Sequence, residues 1–288
     1  MPASEMAVVV VAFVAAAVSG GLGYGFSSIT VPVALLVYAG RALNPALVLL
    51  ELFINALALL VNRRALGAVW PRMPPLLLGA VPGVLAGSLL LARAEPGLLK
   101  LFTFALLLPL ILLQSAGIRR PLKGGPAAGA SVGLAVGTLY GATTLSGPPL
   151  ALLFNNQGLA KDQFRAALSI FRLAESALTV LAYAALGLFT APSVRLAGEL
   201  APGVLIGVPL GYLALRRIAP EPFRRACMAT DALLVGFGLA RTSIDLHLLS
   251  SEAAWAGLAA VACVEAAIVV AFVLGRAGKP ELARSNAP

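Results

Sequence analysis

The stretch GTLYGATTLSGPPLALLFNNQG, Gly137 to Gly158, begins and continues like a membrane helix but is broken in its middle. Thr143-Thr-Leu-Ser-Gly-Pro-Pro149 interrupts it, and Asn155-Asn-Gln157 closes it. Irregular backbone at membrane depth survives only where protein or a water-filled cavity satisfies its polar groups. The break therefore reads as a binding site. The rest of the chain supplies the membrane context. Of 288 residues, 60% are hydrophobic and 11% charged, and the mean hydropathy is +0.95. Soluble domains carry roughly 25% charged residues. The composition implies a polytopic integral membrane protein embedded in lipid.

The net charge of +9 does not point to nucleic acid, because the basic residues fall in short runs between apolar segments. The two cysteines, Cys227 and Cys263, lie inside apolar runs with no metal-ligand spacing. No metal site or cofactor is expected. The opening MPASEMAVVVVAFVAAAVSG lacks a basic n-region and parallels a later internal segment, so it reads as structure and not as a signal peptide.

Apolar segments cover 6–20, 27–39, 44–62, 75–92, 98–118, 127–142, 146–156, 163–187, 198–217, 223–241 and 253–275. Most approach the ~17–25 residues a spanning helix needs. The short ones form two pairs, 6–20 with 27–39 and 127–142 with 146–156, each joined by a Gly/Ser/Thr/Pro break. A displacement of 117 residues lays Pro32-Val-Ala-Leu-Leu36 on Pro149-Leu-Ala-Leu-Leu153. One of 120 lays PGVLAG from Pro82 on PGVLIG from Pro202. The expected fold is thus all-α, with two inverted repeats, each a broken helical hairpin plus three transmembrane helices, and one extra C-terminal helix. The boundaries are 1–118 for the first repeat, 119–126 for a cytoplasmic linker, 127–241 for the second repeat, and 242–288 for the extra helix and cytoplasmic tail.

Basic loops orient this arrangement. Arg63, Arg64 and Arg72 mark one loop, and Arg119, Arg120 and Lys123 a second. Arg216, Arg217, Arg224 and Arg225 mark a third, and Arg276, Lys279 and Arg284 the tail. All are expected on the cytoplasmic side. The count of crossings between them closes only if 127–156 enters and leaves by one face. The N-terminus then comes out external and the C-terminus cytoplasmic.

Two breaks are expected, SSITVP from Ser27 to Pro32 and TTLSGPP from Thr143 to Pro149. Each proline stands where a half-helix would begin. A half-helix N-terminus offers unpaired N–H groups and about half a positive charge, which suits an anion. Ser27, Ser28, Thr30, Thr143, Thr144 and Ser146 add hydroxyls; Pro32, Gly147 and Pro149 shape the elbows. Asn155 ends the second arm, as a cap or a contact at the cavity mouth. Gly129, Gly133, Gly137 and Gly141 form a bare stripe for close helix approach.

Arg172 lies mid-helix, and Glu175 one turn on can pair with it. The pair is either a structural ion pair or an anion-attracting arginine. Glu51, Asp231 and Glu265 are further mid-membrane carboxylates, and Glu51 shares a face with Asn55. Such groups suit proton coupling, Glu51 first, and equally a cation path.

The stretches GGLGYGFSSITVPVALLVYAG and GTLYGATTLSGPPLALLFNNQGLAKDQFRAALSIF resemble the paired motifs of the TauE/SafE sulfite exporter family, also called the four-toluene-sulfonate uptake family. The resemblance covers most of 6–275. It implies secondary transport of sulfite, sulfonates, sulfoacetate or related anions across the cytoplasmic membrane. The motif positions it carries over are Gly20, Gly25, Pro32, Gly141, Gly147, Pro149 and Arg165. One departure is the single proline of the first half against Pro148-Pro149 in the second.

The expected function is a secondary transporter of small sulfur oxyanions, not an enzyme, with proton coupling through Glu51 or Glu175. A cation or metal permease using the buried carboxylates is the alternative. A hydrolase with Ser146 as nucleophile lacks a base, since the single histidine, His247, lies in a predicted external loop. No Walker-type loop accompanies the chain.

Overall fold

The computed structural model describes residues 3–115, 125–157, 159–214 and 220–277. Among these, helices account for nearly everything and no strand is present. The first helix, α1 (Ala3–Leu22), ends at Gly23-Tyr24-Gly25, and α2 (Phe26–Ala34) follows. Then come α3 (Gly40–Asn62), the short α4 (Leu66–Val69), α5 (Met73–Arg93) and α6 (Pro96–Ser115). In the second half, α7 (Pro126–Thr143) and α8 (Gly147–Asn156) are joined by a short elbow. They precede α9 (Lys161–Ala185), α10 (Ala191–Ala214), α11 (Pro220–Asp245) and α12 (Ser251–Ala277). Six stretches are long and apolar enough to cross a membrane by length and composition: Ser4–Leu22, Gly40–Arg93, Pro96–Leu113, Asp162–Ala185, Ala191–Ala214 and Ser251–Phe272. The expected linker at 119–126 falls almost wholly outside the described residues, as do most basic residues of the second and third loops and of the tail.

The first break does not sit at Ser27–Pro32. Those residues are helical, and the chain turns three residues earlier, where Gly23 has φ +88° and Gly25 φ +117°. Side-chain-bearing residues rarely adopt those angles, so the two glycines place the elbow. Pro32 is interior to α2. It costs the carbonyl of Ser28 its helical partner. The second break is where the prolines put it. Thr144 takes a left-handed conformation, φ 57°, and Pro148 and Pro149 lie in the first turn of α8.

Close packing is concentrated in two glycine seams. Along α5, Gly79, Gly83 and Gly87 face the backbone at Ala130, Leu134 and Thr138 of α7. A methyl group on any of these glycines would fall 1.9–2.3 Å from a carbonyl oxygen of that helix. Only a bare backbone permits such an approach, which satisfies dispersion where lipid offers no hydrophobic drive. The stripe Gly133, Gly137 and Gly141 answers from α7. The other seam joins α1 to α10, with Gly207 and Gly211 against Phe13 and Ala17, and Gly20 against Val208. Residue numbers rise together in both seams, so each pair runs parallel.

Around these seams α3 packs on α9, α6 on α11, α3 on α10 and α5 on α9, and α2 touches α8. The buried apolar side chains divide into one cluster spanning α1, α2, α3, α6, α10 and α11 and another spanning α5, α7, α8 and α9. α12 reaches the first only through Val261 and packs on α11 and α6. Its apolar surface is almost wholly exposed, as suits a lipid-facing helix.

Candidate functional site

The α7–α8 break positions the site by solving a backbone problem. Its elbow leaves carbonyls without helical partners deep in the protein. Side chains take them up. Asn44 Nδ2 donates to the Ala142 carbonyl at 2.8 Å and Tyr183 Oη to that of Gly141 at 2.7 Å. Thr143 Oγ1 donates to Leu139 at 2.7 Å and Thr144 Oγ1 to Thr143 at 2.6 Å. Thr143 and Thr144 thus use their hydroxyl protons to hold the elbow's shape. Ser146, by contrast, is fully buried and its Oγ has no partner.

The two elbows come together. A side chain at Gly147 would meet Ser28 Oγ at 3.4 Å and the ring of Tyr24 at 3.6 Å. Ser27, Ser28 and Thr30 are buried on α2, and none of their hydroxyls has a hydrogen-bond partner. The two half-helices differ in what they offer. In α2 the amides of Phe26, Ser27 and Ser28 precede the first helical bond, which Ile29 makes to Gly25. In α8, Pro148 and Pro149 have no N–H, so Gly147 alone of its first three residues presents one. Amide donors therefore come mainly from α2.

Positive charge comes from α9. That helix carries a buried polar stripe, Arg172, Glu175, Ser176 and Thr179, at helical spacing. Opposite it, α3 presents Glu51 and Asn55. Arg172 Nη2 donates to Glu51 Oε1 at 2.6 Å, with Arg172 1% and Glu51 0% exposed. Tyr140 Oη donates to Glu51 Oε2 at 2.7 Å and stands 2.8 Å from Ser176 Oγ. Asn55 Nδ2 donates to the same Ser176 Oγ at 3.0 Å. The expected partner of Arg172, Glu175, is not its partner. The α3–α9 interface brings Glu51 directly across from the guanidinium, while Glu175 turns toward the elbow beside Ser146, Arg172 and Glu51. Neither Glu175 oxygen closes a hydrogen bond with Ser146 or any other group, and Nε and Nη1 of Arg172 are also without partners.

Tyr140 and Ser176 escaped the sequence reading. The available signal was the polar i, i+4 pair Arg172 and Ser176 in an otherwise apolar helix; Tyr140 carried none. Asn155 lies at the end of α8, and its side chain falls outside the described residues. Pro149 is half-buried in the first turn of α8. Glu265 on α12 accepts from Ser115 Oγ of α6 at 2.9 Å. Asp231 is buried in α11. Arg165, at the start of α9, donates to the Gly21 carbonyl at the end of α1.

Two hollows approach the elbows from opposite ends of α3. One, of about 350 Å³, is lined by Val31, Asn44, Lys100, Thr143 and Asp245 and reaches the second elbow. The other, of about 190 Å³, is lined by Ser19, Gly23, Asn62, Arg165 and Tyr212 and reaches the first. Among the described residues no group of three or more His, Cys, Asp or Glu side chains is placed to hold a metal ion.

The arrangement is that of a multi-pass membrane protein with a buried, donor-rich centre beside two helix breaks. No curated protein and no solved structure matches the chain significantly. A family model described as Sulfite exporter TauE/SafE matches residues 8–239, from α1 into α11 and stopping short of α12. With both elbows, the Arg172–Glu51 pair and the two glycine seams inside that match, the chain belongs to the TauE/SafE sulfite exporter family.

Proposed function

We propose that this protein is a secondary transporter that moves small sulfur oxyanions, such as sulfite, sulfonates or sulfoacetate, across the cytoplasmic membrane by alternating access. One observation carries the reading. Arg172 is buried with two guanidinium nitrogens unpaired, in a centre where Ser146 and Ser28 are also buried without partners. Buried donors left unsatisfied are costly, by about 1–3 kcal/mol each. A set of them converging at crossed half-helices is what a desolvated oxyanion would satisfy. In this reading Ser27, Ser28, Thr30, Ser146, Gly147 and Arg172 contact substrate. Thr143, Thr144, Pro32, Pro149 and Asn155 shape the elbows and mouth.

Inverted repeats supply the moving parts. The seams support them: α1 meets α10 as α7 meets α5, α10 meets α3 as α5 meets α9, and α2 meets α11 as α8 meets α6. Gly20 on Val208 corresponds to Gly141 on Val84, a displacement of 121 residues for the arms and 124 for their partners. Both exceed the motif-based displacements by four, one helical turn. The repeats then run 1–118 and 127–241, with 119–126 as linker and 242–288 as an added helix and tail. The loop around Arg63 and Arg64 faces the cytoplasm, the N-terminus is external, and the larger hollow is the external vestibule. Glu51 and Glu175 are the groups available for proton coupling.

The test is flux in proteoliposomes against sulfite, thiosulfate, sulfoacetate, taurine and divalent cations, with and without a pH gradient. Saturable oxyanion flux that Arg172→Gln abolishes is expected. Divalent-cation flux without any oxyanion flux would establish the permease alternative and overturn this function.

A further inference from the structure

The centre holds one guanidinium and two carboxylates, and only one carboxylate is paired. Glu51 has Arg172 and Tyr140; Glu175, 0% exposed, has no hydrogen-bond partner on either oxygen. The charged and titratable groups facing Glu175 are Arg172 of its own helix and Glu51 of α3, with Tyr140 of α7 hydrogen-bonded to the latter. α8 contributes no charged residue, α5 only Arg93 at its exposed end, and the arginines before α4 are exposed. Among the described residues nothing else balances an ionised Glu175.

We propose that Glu175 is a built-in competitor of the transported anion: ionised, it swings onto the two free nitrogens of Arg172; protonated, it withdraws and leaves them to substrate. This rests on Arg172 being the anion anchor. Residues three apart on a helix are neighbours, so a change of side-chain rotamer suffices for the exchange. The balance of charge sets the coupling. Arg172 with Glu51 is neutral. An anion added to that pair gives one buried negative charge, stabilised by hydroxyls and the α2 terminus. An anion added beside an ionised Glu175 gives two, in a medium where isolated buried charges are strongly disfavoured. Anion and proton therefore enter together from the face whose hollow is open, the proton residing on a Glu175 oxygen, and leave together at the other. The emptied site closes on the Glu175–Arg172 pair, which leaves the unloaded centre with the same single net negative charge as the loaded, protonated one and prevents uncoupled leak. Ser146, beside Glu175, receives the neutral acid as a hydrogen-bond partner.

The test uses the full-length protein in detergent or nanodiscs. The ligand is methanesulfonate, a monoanion across the neutral range, so that only protein groups titrate. Wild-type affinity is expected to fall about tenfold per pH unit on the alkaline side, the signature of one linked proton. Glu175→Asp should keep that slope and Glu175→Gln should flatten it. Calorimetry of the wild type in two buffers of different ionisation enthalpy should show about one proton taken up per anion bound at alkaline pH. That measurement stands even if the glutamine variant does not fold. A flat wild-type profile, no proton uptake, or an undiminished slope in Glu175→Gln would overturn the proposal and leave the anion site intact. Failure of the wild type to bind any sulfur oxyanion at any pH would overturn the transport reading itself, and this proposal with it.

Discussion

Replacing Glu51 by Gln tests whether the buried ion pair is what holds α3 to α9. At 2.6 Å, opposite unit charges attract by about 6 kcal/mol at an effective dielectric constant near 20. Desolvating both ions costs several kcal/mol each, so the pair's net contribution is small. Removing one member is different, because it leaves the other buried and uncompensated, at about 3–5 kcal/mol. Glu51→Gln retains an oxygen for Tyr140 but, in acidic buffer that keeps Glu175 protonated and off Arg172, strands a guanidinium that already has two unpaired nitrogens. A loss of about 3–5 kcal/mol of stability is expected, and a similar loss for Arg172→Gln. The double variant has no buried charge in this pair. It should be less destabilised than the sum of the singles, with a coupling of at least about 2 kcal/mol. Denaturant unfolding in defined detergent, run as a double-mutant cycle, measures this directly. Additive losses, or a Glu51→Gln protein as stable as wild type, would refute the claim that the two side chains share one ion pair.

Three further outcomes follow from packing and backbone shape. Gly211→Val should destabilise severely or block assembly, because even its Cβ would fall 1.7 Å from the Ala17 carbonyl; Gly198→Ala, with open space around it, should gain about 0.5–1 kcal/mol, both read by thermal unfolding. Thr144→Val should lower stability, because it keeps a β-branched side chain at φ 57° and loses the hydroxyl bond to the Thr143 carbonyl, whereas Thr144→Gly offsets that lost bond by relieving the backbone; equal stability of the two would show that the elbow relaxes. Lys100→Glu should slow anion entry from the face that Lys100 lines, leaving entry from the opposite face unaltered, in proteoliposomes of sorted orientation.

Much of this was written in the chain. The all-helical class followed from apolar run lengths, and the second elbow from Gly147-Pro148-Pro149, because prolines in a first turn fix φ and bar continuation of the preceding helix. The first elbow misled for the same reason. Pro32 imitates Pro149 in its neighbours, yet it is tolerated inside α2, and the turn belongs to Gly23 and Gly25, whose special φ values no local pattern advertises. Of the site, Arg172, Glu51, Glu175 and Ser146 stood out as polar residues in apolar surroundings. Their pairing did not, because a helix shows its own neighbours in sequence and conceals those across an interface 121 residues away.

The two glycine seams also bear on biogenesis. α5 emerges from the ribosome with Gly79, Gly83 and Gly87 exposing a bare backbone groove, and the helix that fills it, α7, is made later. α1 waits longer still for α10. Each half of the protein is thus an unfinished mould for the other. The early helices must dwell in lipid as loosely associated rods until translation has delivered the second half. Membrane insertion and tertiary folding are thereby separated in time.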